Sequence, residues 1–237
     1  MKYLLPASRE LIYRNADSLL EEVVLRNGGE LGCRAKENQG FLLNDQKIGN
    51  KKEKGLLTLF KQLDMQPDQT EFKYYLSSLY TKYGRARILY IPRHLLEKMK
   101  RYYTEVRPES DSNQLLLSSS NNSYGQPISK KFASEIFLKI KLKVMDKMEY
   151  MPTLYARIQD ISLSTYHHLR HSFGTDIFYE LCKGQNKYYE SITTTSAVYL
   201  ETARRLGHKV DGRNSPEVTK RYIHSCGHRE NLLKEVA

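Results

Sequence analysis

The sequence predicts an α+β domain that is mainly α-helical and carries a small antiparallel β-sheet or hairpin. Two observations support this fold class. Apolar residues recur at near-helical spacing in several separated segments, and one segment alternates aromatic and polar residues on both sides of a glycine-containing turn. With 237 residues, 40% of them hydrophobic, the chain is long enough to form a substantial core.

The helices are predicted mainly from apolar spacing, from capping residues at their starts and from glycines at their ends. They cover residues 8–27, where Gly28 and Gly29 are expected to stop the helix, then 34–38, 93–104, 129–147, 166–182, 195–206 and 216–224, with a short tail helix from 229. A strand is expected to begin at residues 41–43. The lysine-rich residues 44–56 and the Ser/Asn-rich residues 108–127 are expected to form loops.

Residues 71–91 are predicted to form the hairpin, with its turn near Gly84. The region is also strongly basic, since residues 79–101 contain seven basic side chains and one acid. The seven are Lys82, Arg85, Arg87, Arg93, Lys98, Lys100 and Arg101. Such a stripe suits DNA phosphates, and the excess of 38 basic over 27 acidic residues in the whole chain also favours nucleic acid as the partner. The alternative is a hairpin edge kept from aggregating by its charge.

The cysteines and the hydropathy pattern indicate a cytoplasmic protein, which a DNA partner would associate with the nucleoid. Three cysteines at irregular spacing suggest no disulfide framework. No apolar run approaches about twenty residues, so no membrane partner is expected. The short apolar start, which ends at Pro6, is too brief for a signal peptide.

Four separated clusters of polar residues are candidates for chemistry. They are Gly32-Cys33-Arg34-Ala35-Lys36-Glu37, Lys82 at the predicted turn, Tyr166-His167-His168-Leu169-Arg170-His171-Ser172-Phe173, and Leu206-Gly207-His208 followed by Thr219-Lys220-Arg221-Tyr222. His167 and Arg170 lie three residues apart, so on a helix they share a face that could bind an anion. Alone, such a pair is more typical of a solvated helix.

Together, these clusters resemble the motifs of the tyrosine recombinase (phage integrase) family, in its catalytic domain. Gly32, Arg34 and Glu37 match the first box, Gly-x-Arg-x-x-Glu. Residues 167–173 match every position of His-x-Leu-Arg-His-x-Phe. The Leu-Gly-His, Thr-x-x-Tyr and Gly-x-Pro-x-Ser elements are matched by residues 206–208, 219–222 and 125–129. The resemblance extends from about residue 18 to residue 234.

The resemblance implies a site-specific recombinase or integrase that cleaves and rejoins double-stranded DNA through a 3′-phosphotyrosyl intermediate, for integration or excision of a mobile element. It implies six catalytic residues: Tyr222 as the nucleophile, Arg34 and Arg170 as a phosphate clamp, His208 as a donor to a non-bridging oxygen, His167 for proton movement at Tyr222, and Lys82 as the acid for the leaving 5′ oxygen. One ester replaces another, so neither a cofactor nor a metal is expected.

These residue types fit the reaction, because a phenol with an ordinary pKa of about 10 needs cationic surroundings to attack a phosphodiester. Glu37 is expected to support the first box, and His168 and His171 to pack or brace the helix. Lys82 lies ten residues before Pro92, two more than is usual in the family. Arg85 and Lys73 are therefore alternatives, although an amine suits proton transfer better than a guanidinium.

Several expectations concern the whole chain. Residues 1–237 should form one catalytic domain without the family's N-terminal core-binding domain, as a fragment or as a single-domain relative. Protomers should form a tetramer on DNA and associate weakly or remain monomeric when free. The tail after Tyr222 is expected to dock on a neighbouring protomer or on its own domain. Extra residues are expected in 183–196 and in 211–214, and the second insertion could let Tyr222 swing on assembly.

Three alternatives remain open. A type IB topoisomerase would share the chemistry and relax supercoiled DNA without a specific site. A non-catalytic DNA-binding or regulatory module could retain the fold. A zinc site is conceivable at His224, Cys226 and His228, although the spacing is irregular.

Overall fold

The computed structural model describes residues 3–48, 50–210 and 217–235, without the side chains at positions 217, 218, 221, 223, 224 and 235. Within these residues the fold is a mainly helical α+β domain, which confirms the predicted class. Its helices are α1 (Pro6–Arg14), α2 (Leu19–Glu30), α3 (Leu56–Met65), α4 (Arg93–Arg101), α5 (Phe132–Tyr150), α6 (Tyr166–Gly184), α7 (Ala197–Arg205) and α8 (Glu217–Glu235). Its strands are β1 (Gln46–Ile48), β2 (Lys51–Glu53), β3 (Glu71–Leu76) and β4 (Arg87–Pro92).

The predicted hairpin is formed by β3 and β4, which pair antiparallel with Tyr74 opposite Leu89. Alternate residues of both strands face the core, as the period of two requires. The connection is longer than a tight turn and spans residues 77–86, with two short 3-10 segments. Tyr83 and Gly84 have positive φ angles of 68° and 60°, and they form the tip near the predicted position.

A second antiparallel hairpin, β1–β2, lies where the sequence predicted a loop at residues 44–56, so that prediction was wrong. Its strands are short and its residues are mostly polar, so the sequence shows no alternation of apolar and polar residues there. The Asp45 carboxylate accepts hydrogen bonds from the Gly55 amide at 2.9 Å and from the Thr58 hydroxyl at 2.7 Å. These bonds attach the hairpin to the start of α3, a helix that the sequence analysis missed.

The single helix predicted over residues 8–27 is two helices. The chain breaks after α1, and Ser18 caps α2 by accepting a hydrogen bond from the Glu21 amide at 3.2 Å. The helix α2 then continues through the two glycines that were expected to stop it. Gly28 instead makes room for a neighbouring side chain, since a Cβ atom there would lie 2.9 Å from Cζ of Tyr166. The tail helix predicted from residue 229 is also wrong, since α8 runs unbroken to Glu235.

Two apolar clusters form the core. The larger joins α2, β3, β4, α4, α5 and the start of α6. The smaller joins the end of α6 to α7 and α8 through Phe178, Cys182, Tyr189, Val198, Tyr199 and Cys226. Arg170 lies on α6 between Leu169 of the first cluster and Phe178 of the second, so the predicted site sits where the clusters meet. In the described ranges, no helix is both long and apolar enough to cross a membrane.

Candidate active site

A buried carboxylate, Glu37, holds three arginines from three separated parts of the chain. It accepts hydrogen bonds from Arg34 Nη1 at 2.7 Å and from Arg87 Nη2 at 2.8 Å, and Arg170 Nη1 lies 3.7 Å away. Burial disfavours the charged form of Glu37. The guanidinium groups of Arg87, Arg170 and Arg34 outweigh that effect and lower its pKa to about 2. The cluster therefore carries three positive charges against one negative charge.

Arg170 and Arg87 also fix the backbone around the site. Arg170 donates to the carbonyl oxygens of Gly32 and Leu206, and thereby joins the first box to the Leu-Gly-His segment. Arg87 donates to the carbonyl oxygens of Gly32, at 3.1 Å, and of Arg205. Arg170 is 1% exposed, and burial followed by repulsion from Arg87 and Arg34 lowers its pKa to about 10. At rest, part of its donor capacity is used by the protein itself.

His208 is oriented by groups on both sides of its ring. It follows Gly207, whose φ of +65° and close contact with the Arg87 side chain leave no room for a Cβ atom. His208 Nδ1 lies 3.0 Å from the hydroxyl of Thr219, and Nε2 lies 3.5 Å from Arg170 Nη2. Burial, then the charges of Arg170, Arg34 and Arg87, lower the pKa of His208 to about 3. The ring is therefore neutral near pH 7, and a proton on Nδ1 would suit both contacts.

Tyr222 lies on α8, three residues after Thr219, so both face His208. Its ring centroid is 6.0 Å from that of His208 and 5.4 Å from that of His171. The phenol ring packs on α6 at Gly174, where a Cβ atom would lie 2.7 Å from Tyr222 Cε1. The residue is 1% exposed. At rest, the predicted nucleophile is thus beside the predicted phosphate ligands and covered from solvent.

The three histidines at the start of α6 occupy different environments. His167 is exposed, and its ring makes an edge contact of 4.6 Å with His171, which is buried against Tyr222. His168 Nδ1 accepts a hydrogen bond from the Thr165 amide at 2.9 Å and so helps to cap the helix. The residue of this group that contacts Tyr222 directly is therefore His171, and His167 contacts His171.

Lys82 lies in the exposed connection between β3 and β4. Its Nζ atom is 4.9 Å from the centroid of the Tyr83 ring. A hydrogen bond from Lys82, followed by the charges of Lys82, Arg34 and Arg85, lowers the pKa of the Tyr83 phenol. Among the described residues, no hydrogen bond or ion pair joins Lys82 to Arg170, His208 or Tyr222. The contacts above link Arg34, Arg170, His208 and Tyr222, and His167 joins them through His171.

The basic stripe of residues 79–101 is not a continuous phosphate-binding surface. Arg87 is buried in the Glu37 cluster, and Arg93 donates to backbone carbonyls in the last turn of α3 and in the segment that follows it. Ion pairs join Lys98 to Glu22, Lys100 to Asp64 and Arg101 to Glu105. The sequence analysis missed the role of Arg87, although alternation could have revealed it, since Leu89 and Ile91 on the same strand face are buried.

The remaining expectations fall partly outside the described residues. Positions 211–214, the expected insertion before Tyr222, lie outside them, as does the side chain of His224 in the possible zinc site. Cys226 is buried in the smaller apolar cluster and lies 3.4 Å from the Tyr222 carbonyl. Among the described residues, no group of three or more His, Cys, Asp or Glu side chains could hold a metal ion. The other expected insertion, residues 183–196, is mostly exposed, but Tyr189 within it is buried and donates to Glu230 at 3.2 Å.

Fold and site together define a mainly helical α+β domain in which separated arginine, histidine and tyrosine motifs meet around one buried carboxylate. The fold is similar to that of the XerA recombinase in its crystal structure, with a TM-score of 0.57 and 13% sequence identity. The match covers 99% of this chain and 63% of that chain, so this chain spans under two thirds of the recombinase's length. No protein-family model and no curated protein sequence matches the chain.

Proposed function

We propose that this protein is a site-specific DNA recombinase of the tyrosine type, and that residues 1–237 form its catalytic domain. One observation carries the proposal: Arg34, Arg170, His208 and Tyr222 come from distant parts of the sequence and meet within one cluster. A structural role alone would not require a tyrosine beside a surplus of guanidinium groups. Similarity of fold to a recombinase supports the same class of activity.

In the proposed reaction, Tyr222 Oη attacks the phosphorus atom of one DNA strand, and the bond from phosphorus to the 5′ oxygen breaks. The phenol proton leaves through the histidine side of the site, where His167 acts, and Lys82 protonates the departing 5′ oxygen. A 3′-phosphotyrosyl ester remains. Attack by the 5′ hydroxyl of a second DNA end reverses these steps, releases Tyr222 and rejoins the strand. The number of phosphoester bonds is unchanged throughout.

The cationic cluster would stabilise the charge that develops on the phosphate. Arg34 is the more accessible clamp residue, with its side chain 22% exposed, whereas Arg170 is buried and bonded to the backbone. A phosphate that enters between Arg34 and Arg170 would add the negative charge that the cluster lacks. Its charge would also raise the pKa of His208 and favour a proton on Nε2 of that ring. His208 could then donate to a non-bridging oxygen. Because Tyr222 is covered at rest, its exposure is expected to accompany DNA binding.

The test uses nicked suicide duplexes taken from the ends of the DNA element that encodes the chain. We expect a covalent protein–DNA adduct that is lost in Tyr222→Phe and retained in Tyr199→Phe, a matched change at a buried tyrosine of α7. An adduct that persists in Tyr222→Phe would disprove the assigned nucleophile. Relaxation of plasmids without any specific site would instead support a type IB topoisomerase, and DNA binding without an adduct would support a non-catalytic module.

A further inference from the structure

A groove lined by basic side chains leads away from His208 along the outer side of β4 and the end of α7. Its volume is about 460 Å³. The groove residues that carry the argument are Arg85, Ile88, Tyr90, Arg204, Arg205 and Lys209. We refer to this feature as the lateral groove. None of the six predicted catalytic residues except His208 lines it, so it extends the site rather than repeating it.

The lateral groove carries an excess of positive charge. Besides Arg87, which belongs to the Glu37 cluster, the groove is lined by three arginines and one lysine, with one carboxylate, Glu201, among the lining residues. Glu201 lies 3.2 Å from Arg205 Nε and 3.7 Å from Arg204 Nη1. Arg205 Nη1 also lies 3.9 Å from Glu71, which does not line the groove. Two carboxylates cannot offset the three arginines, so the groove favours an anionic ligand.

The groove also has an organised, partly apolar floor. The guanidinium of Arg205 lies 4.4 Å from the centroid of the Tyr90 ring, and its side chain is only 23% exposed. Ile88 is 44% exposed beside it. In contrast, the Arg204 side chain is 60% exposed and can reorient. A fixed cation over an apolar floor, with a second cation at the rim, suits a ligand that alternates apolar and anionic groups.

The backbone that carries these residues is tied to the catalytic cluster. Arg87 and Arg170 hold the carbonyl oxygens of Arg205 and Leu206, so the lateral groove and His208 keep a fixed relative position. A ligand with phosphates at regular intervals could place one at Arg170 and His208 and the next ones in the groove. Among anionic ligands, a DNA strand has that repeat, whereas an acidic peptide has no deoxyribose to cover Ile88 and Tyr90.

We propose that the lateral groove binds the sugar–phosphate backbone of the cleaved strand immediately beside the scissile phosphate, with Arg85, Arg204 and Arg205 on phosphates and Ile88 and Tyr90 against deoxyribose. This inference rests on the proposed function, because it places the scissile phosphate at Arg170 and His208. The groove thereby sets the path of the strand, while the catalytic residues act on one phosphate.

A first experiment measures DNA affinity against salt concentration in the Tyr222→Phe background, where no covalent product forms. Arg204→Ala and Arg85→Ala should each weaken binding to duplexes of any sequence and reduce the slope of log affinity against log salt by about 1. Arg204→Lys should keep the slope, because it keeps the charge. Lys61→Ala removes an exposed charge from α3, which packs on α4 and does not line the groove, and should leave the slope unchanged.

A second experiment locates the contact on the strand by replacing single phosphates near the cleavage position with neutral methylphosphonates. At one or two positions, the loss of affinity from the methylphosphonate and the loss from Arg204→Ala should not add, because both remove the same contact. Lys61→Ala should add to every methylphosphonate. Full additivity for both Arg204→Ala and Arg85→Ala, together with unchanged salt slopes, would overturn the groove assignment.

The two proposals fail in different ways. Absence of any adduct with the unmodified protein would contradict the proposed function, while the salt slopes on random duplexes would still report on the groove. A normal adduct, with full additivity toward the methylphosphonates and unchanged salt slopes, would contradict the groove alone. A further outcome is that short acidic peptides bind the groove without lowering the affinity of the protein for DNA. That result would also reject DNA as the occupant of the groove.

Discussion

Glu37 is a buried acid whose neighbours include three arginines, and its charge is what makes their proximity possible. Glu37 is fully buried, and both of its oxygens accept hydrogen bonds from guanidinium groups. The carboxylate therefore organises the site, in agreement with the supporting role predicted from the first box. It also leaves a net positive charge, which a phosphate can neutralise.

Removing the charge of Glu37 should destabilise the fold. We expect Glu37→Gln to lower the free energy of unfolding by about 3–5 kcal/mol, because three buried or half-buried guanidiniums would lose their counter-charge. Urea denaturation at pH 7 measures the change. The control is Glu105→Gln, which breaks an exposed pair with Arg101 and should cost less than about 1 kcal/mol. Equal effects of the two changes would contradict the organising role of Glu37.

The pKa of His208 predicts a pH dependence of stability. Its folded value of about 3 lies below the unfolded value of about 6.5, so the neutral form is the one that folding favours. The contribution of neutral His208 to the stability of the fold is therefore fully present above pH 6.5 and is lost as the pH falls toward 3. Between pH 6.5 and pH 5, the free energy of unfolding of the protein should fall by about 2 kcal/mol more than that of the His208→Gln variant.

His94 provides a control of opposite sign. Its hydrogen bond with Glu30 raises its pKa, so its contribution is present below pH 6.5 and is lost as the pH rises through the folded value. His94→Gln should therefore steepen the loss of stability toward pH 5, whereas His208→Gln should reduce it. Denaturation midpoints at pH 7, 6 and 5 distinguish the two. A parallel response of both variants would show that His208 is not held neutral by its neighbours.

At the scale of elements, the sequence predicted those features whose signals are local. The hairpin, α6 and α7 follow from apolar spacing, and four motif segments could be identified because each is contiguous. The division between α1 and α2 could not, since Asn15–Ser18 interrupts the apolar spacing only briefly. Contacts between residues distant in the sequence were harder to predict. The Glu37 cluster depends on Arg87, and the sequence analysis had grouped Arg87 with the exposed basic residues of the hairpin region.

The packing of α8 on α6 leads to a test of where Tyr222 rests. An alanine in a helix is normally more stabilising than glycine by about 1 kcal/mol. At Gly174, however, a Cβ atom would lie 2.7 Å from the Tyr222 ring and 3.0 Å from Leu206 Cδ1. We expect Gly174→Ala to be destabilising by about 1–3 kcal/mol, as in other overpacked cores.

The same helix supplies the control for this change. Gly184 lies at the end of α6, and a Cβ atom there would meet nothing within 4 Å. Gly184→Ala should be neutral or slightly stabilising. Thermal denaturation of both variants tests the contact between α6 and α8. If Gly174→Ala is as stable as Gly184→Ala, Tyr222 does not rest against α6.

On the scale of the whole molecule, the two ends of the described chain are joined at Asp176 of α6. Its carboxylate accepts hydrogen bonds from Tyr3 Oη at 2.6 Å and from Arg229 Nε at 3.2 Å, and it also pairs with Arg9. The second half of α8 therefore docks on its own domain, one of the two positions expected for the tail. The helix that carries Tyr222 is thus held at both its first and its second half.

This docking predicts how protomers assemble. A tail that moved to a neighbouring protomer would exchange its contacts at Asp176 for the same contacts on another copy, with no gain in number. Free protomers would then lose translational and rotational entropy without compensation, so the protein should remain monomeric at micromolar concentration. Protomers bound side by side on DNA have already lost that freedom, and a high effective concentration makes the exchange favourable.

Sedimentation velocity with and without DNA tests this prediction. We expect a monomer in the absence of DNA and a complex of four protomers when two duplexes that each carry two binding sites are present. Arg229→Ala weakens the tail contact in either arrangement and should reduce the four-protomer complex while leaving binding of a single protomer unchanged. Lys61→Ala, at the surface of α3, should leave both complexes intact. A stable dimer without DNA would mean that protomers are joined by a surface other than the tail, because exchange of the tail alone supplies no net contacts.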